Sequence, residues 1–183
     1  GIRFQWDKIG GSGFEIQFTH RDVDLDLDLN GVLQTDVPLT QAELDSLQRD
    51  GEQTVFRGRY LWKLGDKNRL RFEVGFRKND MDGDAVSSDT QWGEVLYGHG
   101  GKKWVFAGTL MAGSREYDEA NPIYGVKTDG DFYSASVNVF RKLQTASKRW
   151  SLMGTAVHSE MDNDVQFHET TLTMFMVGAQ YLF

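Results

Sequence analysis

Three carboxylates alternate around a glycine in Asp80-Met81-Asp82-Gly83-Asp84, the spacing in this chain that comes nearest to a calcium loop. Ca²⁺ is a hard cation that collects several oxygen ligands, and carboxylates at alternate positions can supply them from one side of a turn. The bidentate Glu that completes an EF-hand is missing. The expectation therefore divides between weak Ca²⁺ or Mg²⁺ binding at Asp80, Asp82 and Asp84 and a solvated acidic rim. Asp22, Asp24, Asp26 and Asp28 alternate as well. On a strand they would line one side, repelling one another unless a cation or water screens them.

Nucleophilic chemistry has less to work with. The four histidines are His20, His99, His158 and His168, and there is no cysteine, which excludes disulfides and thiolate metal sites. His158-Ser159-Glu160 is the one place where a base, a hydroxyl and an acid adjoin. Adjacent residues on a strand point to opposite faces, so His158 and Ser159 cannot act there as base and nucleophile. A GxSxG elbow, a P-loop and a HExxH helix are all absent, and the chain is read as a non-enzyme without an obligate cofactor.

A third set is larger. Glu15, Arg57, Arg59, Arg71, Glu73 and Arg77 alternate with large apolar residues: Phe14, Ile16, Phe56, Tyr60, Phe72, Val74 and Phe76. A period of two is the mark of a strand with two unlike faces. If the apolar face meets lipid, the charges must face a lumen, since each would cost about 2–4 kcal/mol at the lipid midplane. Two consequences stand side by side. Glu15, Glu73 and Glu94 can pair some of the arginines in a network that fills a closed small barrel, or the arginines line a pore that favours anions. Ser134, Ser136, Asn138, Leu172, Met174, Met176, Gly178 and Gln180 give the later strands a less polar inward wall.

The elements that must carry these residues are strands, expected at 12–27, 52–65, 68–79, 90–99, 102–115, 131–144, 148–160 and 169–183. A tilted strand needs about 9–11 residues to cross a bilayer, whereas a soluble strand averages about 5–6. The connections alternate in length. Gly65-Asp66-Lys67-Asn68, Gly100-Gly101-Lys102 and Thr145-Ala146-Ser147 are tight, with glycine and asparagine supplying the turn conformations. The segments 28–51, 80–89, 116–130 and 161–168 are long. Short turns alternating with long loops are the pattern of outer-membrane barrels, with the short turns periplasmic and the long loops extracellular. In the first long loop, Thr40-Gln41-Ala42-Glu43 reads as a capping box opening a short helix to about Leu47.

Charge follows the same division. The segments 22–52, 78–90, 115–131 and 158–169 hold 22 of the 27 acids but only 4 of the 20 bases. The tight-turn regions 63–71, 99–104 and 141–149 hold 10 bases and one acid, Asp66. Opposite signs at opposite ends imply an oriented protein, acidic loops outside and basic turns in the periplasm. Trp62, Trp104, Trp150 and Tyr181 all fall near the basic end, as an interfacial aromatic girdle would.

Whole-chain properties agree. The 183 residues are enough for one domain. The longest uncharged stretch, Thr170 to Phe183, is too short for the roughly 20 apolar residues of a transmembrane helix. Aromatics at 13% argue against disorder. A net charge of -7 disfavours nucleic acid as a partner. The first residue is Gly1, with no apolar leader behind it, so any signal peptide is taken as already removed. The fold class expected is all-β, one antiparallel transmembrane β-barrel domain over 1–183 with about eight strands.

Five stretches resemble a single family. They are Gly11-Ser12-Gly13-Phe14, Leu39-Thr40-Gln41-Ala42-Glu43, Asp80-Met81-Asp82-Gly83-Asp84-Ala85, Tyr117-Asp118-Glu119-Ala120-Asn121-Pro122-Ile123 and the terminus from Asp162 to Phe183. The chain resembles an outer-membrane β-barrel family of marine γ-proteobacteria, domain of unknown function 2860. The resemblance implies additional N-terminal strands, so that this chain is the C-terminal part of a larger barrel of twelve or more strands. Residues 1–11 would then be the end of a preceding strand plus a periplasmic turn. Tyr181-Leu182-Phe183 resembles the C-terminal signature that the barrel-assembly machinery recognises. The family brings no activity with it. The function expected is a narrow passive pore for small solutes, with anions as candidates, in the bacterial outer membrane. The alternative is a closed structural barrel whose acidic loops bind divalent cations, lipopolysaccharide or an external partner.

Overall fold

A computed structural model describes residues 1–8, 12–24, 39–143, 150–165 and 169–181. They form nine strands: β1 (Ile2–Lys8), β2 (Ser12–Val23), β3 (Gly51–Leu64), β4 (Asn68–Met81), β5 (Ser88–Gly100), β6 (Trp104–Tyr117), β7 (Gly130–Leu143), β8 (Trp150–Asn163) and β9 (Thr170–Tyr181). A short helix, α1 (Gln41–Asp45), precedes β3. The strands make one antiparallel sheet in chain order, with β1 and β9 at its two edges, and the sheet is not closed. Because every neighbour in the sheet is also a neighbour in the chain, successive connections fall at alternate ends.

The strands lie where period-two alternation places them, within a few residues. The segment expected at 52–65 is Gly51–Leu64, and that expected at 131–144 is Gly130–Leu143. The strand number is nine rather than eight. Polarity alone does not reveal β1, which pairs with β2 from Ile2↔Phe18 to Lys8↔Ser12, as the family resemblance implied. The expected turn at Thr145-Ala146-Ser147, the stretch holding Asp26 and Asp28, and the final Leu182-Phe183 lie outside the described residues. The β3–β4 turn needs its glycine for backbone reasons, since Gly65 adopts φ +76° with open space around it.

Burial is inverted relative to a water-soluble sheet. Val74 is 61% exposed, while its neighbour Glu73 is 8% exposed. Phe56, Tyr60, Trp62, Phe72 and Phe76 are exposed on the same face as Val74. Among the described residues the only buried hydrophobic side chains are Leu47, Ala85 and Val165, all in the long connections rather than the sheet. The charged face is the less exposed one.

The long-connection end carries a small organised cap. Thr40 Oγ1 accepts from the Glu43 amide at 3.4 Å, and Glu43 Oε2 accepts from the Thr40 amide at 2.7 Å, which is the capping box expected. The chain after α1 docks on the β4–β5 connection, where the Gly83 amide donates to Gln48 O at 3.1 Å and the Ala85 amide to Ser46 O at 3.1 Å. A Cβ at Gly83 would lie 2.4 Å from Ser46 O. Gly83 is therefore accounted for by the close approach of two chain segments, where the sequence suggested a calcium-loop turn.

Candidate functional site

Register sorts the enclosed charges into rows across the sheet. One row runs Glu15↔Arg59↔Glu73↔Glu94 over β2 to β5. The row on the basic-turn side holds Leu61↔Arg71↔Leu96. The next row toward the long connections runs Gln17↔Arg57↔Gly75↔Trp92, and the one beyond it Val55↔Arg77↔Thr90↔Arg115. On β2 to β5 the carboxylates of this wall thus share a single row, with arginines on both sides of it.

That row is a salt-bridge network. Arg59 donates through Nε to Glu73 Oε2 at 2.5 Å and through Nη1 to Glu15 Oε1 at 3.2 Å. Arg3 reaches Glu15 from β1, and Arg71 pairs with Glu94. Each carboxylate has an arginine, so desolvating this row leaves no net buried charge. A cleft between Gln5, Glu15, Arg59, Leu61 and Arg71 lies directly over it.

The outer two rows are not neutralised. Arg57 and Arg77 make no ion pair among the described residues, and their buried Nε atoms have no hydrogen-bond partner there. Both instead face Trp92, with their guanidinium carbons 5.6 and 5.9 Å from the ring centroid. Cation–π contacts of this kind hold a guanidinium in place without cancelling its charge. The indole is seated over Gly75, and its Nε1 lies 3.5 Å from Glu73 Oε1 as a donor. Arg115 completes the row beyond, donating through Nε to Thr90 Oγ1 at 3.3 Å. Arg21 stands on the same face one row further out, across from Gln53 and Asn79.

The six residues singled out for the lumen share this one enclosed face, but they do two different jobs. Glu15, Arg59 and Glu73 hold one another, and Arg71 holds Glu94. Arg57 and Arg77 have no ion-pair partner among the described residues.

A family model of proteins of unknown function, DUF2860, matches residues 1–182. The chain belongs to the DUF2860 family. No curated protein and no solved structure matches it.

In this DUF2860 chain the described acidic residues of the long connections lie at the opposite end of the sheet from the tight β3–β4 and β5–β6 turns. Asp80, Asp82 and Asp84 are all exposed, and Asp80 lies 3.9 Å from Lys78 Nζ. Among the described residues the carboxylates of Asp80, Asp82 and Asp84 do not form a ligand cluster; the group that does is His20, Asp22 and Glu52, with ligand atoms within 4.8 Å of one another. His20 Nδ1 lies 3.1 Å from Thr54 Oγ1, which leaves Nε2 toward Glu52. Sequence order hides this group, because Glu52 joins Asp22 only through the β2–β3 register. His158 and Ser159 lie on opposite faces of β8: His158 meets Thr173 across the strand pair at 2.8 Å, and Ser159 registers with Ser134 on the enclosed face. Trp92 and Gly75 are the site residues that sequence reasoning missed.

Proposed function

We propose that this DUF2860 protein is an outer-membrane β-barrel that acts as a narrow passive pore for small anions. The observation that carries the reading is the inverted sheet, with aromatic and aliphatic side chains exposed along one face and arginines and glutamates enclosed on the other. Lipid suits the first face, where charges would be costly, and water-filled space suits the second. In this reading the sheet curls into a barrel, its edges joined directly or through further strands. The long acidic connections stand outside the cell and the tight basic turns in the periplasm. Unpaired Arg57 and Arg77 give the lumen its positive field, which low-dielectric walls would focus. Liposomes containing the full-length protein should admit small anions faster than neutral sugars of the same size. Equal exclusion of both would overturn the pore.

The ion-pair row favours a second reading, a closed structural barrel. Arg59, Glu15, Glu73, Arg71 and Glu94 neutralise one another across the enclosed face, as residues filling a narrow interior would. The acidic end, with a recess lined by Glu116, Asp129, Asp131, Asp162 and Asp164, would then contact divalent cations or lipopolysaccharide. A rise in melting temperature with millimolar Ca²⁺, together with no anion permeability, would favour this reading.

A further inference from the structure

The enclosed wall is uneven in a way that salt-bridge filling does not explain. On β2 to β5 its carboxylates, Glu15, Glu73 and Glu94, are each held by Arg3, Arg59 or Arg71. Arg57 stands one row further out, Arg77 and Arg115 in the next, and Arg21 in the row beyond, with no carboxylate in these rows among the described residues of β2 to β6. Like charges gathered on one face raise the energy of the fold, and the buried Nε atoms of Arg57 and Arg77, like that of the paired Arg71, have no acceptor among the described residues. Yet the group is built in detail. Gly75 makes room for the Trp92 ring, Trp92 receives two guanidinium groups, and Thr90, 3% exposed, orients the Arg115 Nε.

We infer that Arg57 and Arg77 at the Trp92 ring, with Arg115 beside Thr90 on the far side of β5, form a binding subsite for a tetrahedral oxyanion of the phosphate or phosphomonoester class. A guanidinium presents a planar fork of N–H donors suited to two oxygens at once. A carboxylate has only two oxygens and one charge. The donors here come from β3, β4 and β6, on different sides of Trp92, so an anion with oxygens in four directions and up to two negative charges meets more of them. The face is the one turned away from the exposed apolar side chains, so the ligand is a free solute rather than a lipid headgroup. The inference deepens the pore reading by naming the anion, and it rests on that reading for access from water.

The test is thermal unfolding of the full-length protein in maltoside micelles, which carry no phosphate, at constant ionic strength. Inorganic phosphate and glycerol phosphate should each raise the midpoint by roughly 2–6 °C at saturation, and chloride should not. Arg57→Gln with Arg77→Gln should abolish the shift while leaving the ligand-free midpoint unchanged or higher, because repulsion is relieved. Should that pair misfold, Arg77→Lys keeps the charge, loses the fork and should cut the phosphate shift by at least half. No phosphate shift, an equal shift with chloride, or a full shift in the Arg77→Lys protein would overturn the subsite. Chloride permeability without a phosphate shift rejects the subsite and leaves the pore standing. A phosphate shift in a protein that passes no anions does the reverse.

Discussion

Trp92 occupies the space that a side chain at residue 75 would need, since a Cβ there would stand 2.0 Å from Trp92 Cζ2. The indole has no flexible end to withdraw, so Gly75→Ala must displace the ring that Arg57 and Arg77 face. The expected cost is about 1–3 kcal/mol, as for other overpacked positions. Gly93→Ala, on the next strand and the opposite face with nothing within 4 Å, should be nearly neutral. Denaturant midpoints of the two variants check this. Equal midpoints would mean that Trp92 is not seated on Gly75.

Arg59 holds two carboxylates, one of them the 8% exposed Glu73. Arg59→Gln should destabilise the fold by about 3 kcal/mol, because Glu73 stays buried with its ion-pair partner gone. Arg59→Met with Glu73→Met should recover most of the loss, since no charge of that pair is then stranded. A double variant as unstable as the single one would contradict the network.

How far the sequence discloses this arrangement depends on whether a feature is local. Alternation within one strand is local, so β3 and β4 and their two faces are legible residue by residue. The capping box at Thr40 and Glu43 is local too, and it forms as expected. Ion-pair partners are not local. Glu15 and Arg59 are 44 positions apart and meet through the register of β2 with β3, which polarity alone does not set to the residue. Gly75 reads as an unremarkable strand glycine until the neighbouring strand lays Trp92 across it. The His20, Asp22 and Glu52 group is hidden for the same reason.

The capping box has a pH signature. Hydrogen bonds from the Thr40 amide and then the Thr40 hydroxyl hold the Glu43 carboxyl below the usual carboxylate range. A carboxyl lowered by folding contributes stability above its unfolded pKa and loses it as pH falls through the folded one. Protection of the Gly83 and Ala85 amides, which donate to the chain just after α1, should therefore fall on acidification below the ordinary glutamate range. In Glu43→Gln this acid-induced loss should be much smaller. Protection that falls equally in both proteins would place the acid-sensitive group elsewhere.

The central claim is that the enclosed arginine wall lines a water-filled path across a membrane. The measurement that meets it most directly is the reversal potential of the full-length protein in a planar bilayer under a KCl gradient. The wild-type protein should reverse on the chloride side. Arg57→Glu with Arg77→Glu should move the potential toward potassium, because among the described residues these two arginines have no carboxylate of their own to cancel them. A wild-type potential on the potassium side, or no current at all, would contradict it.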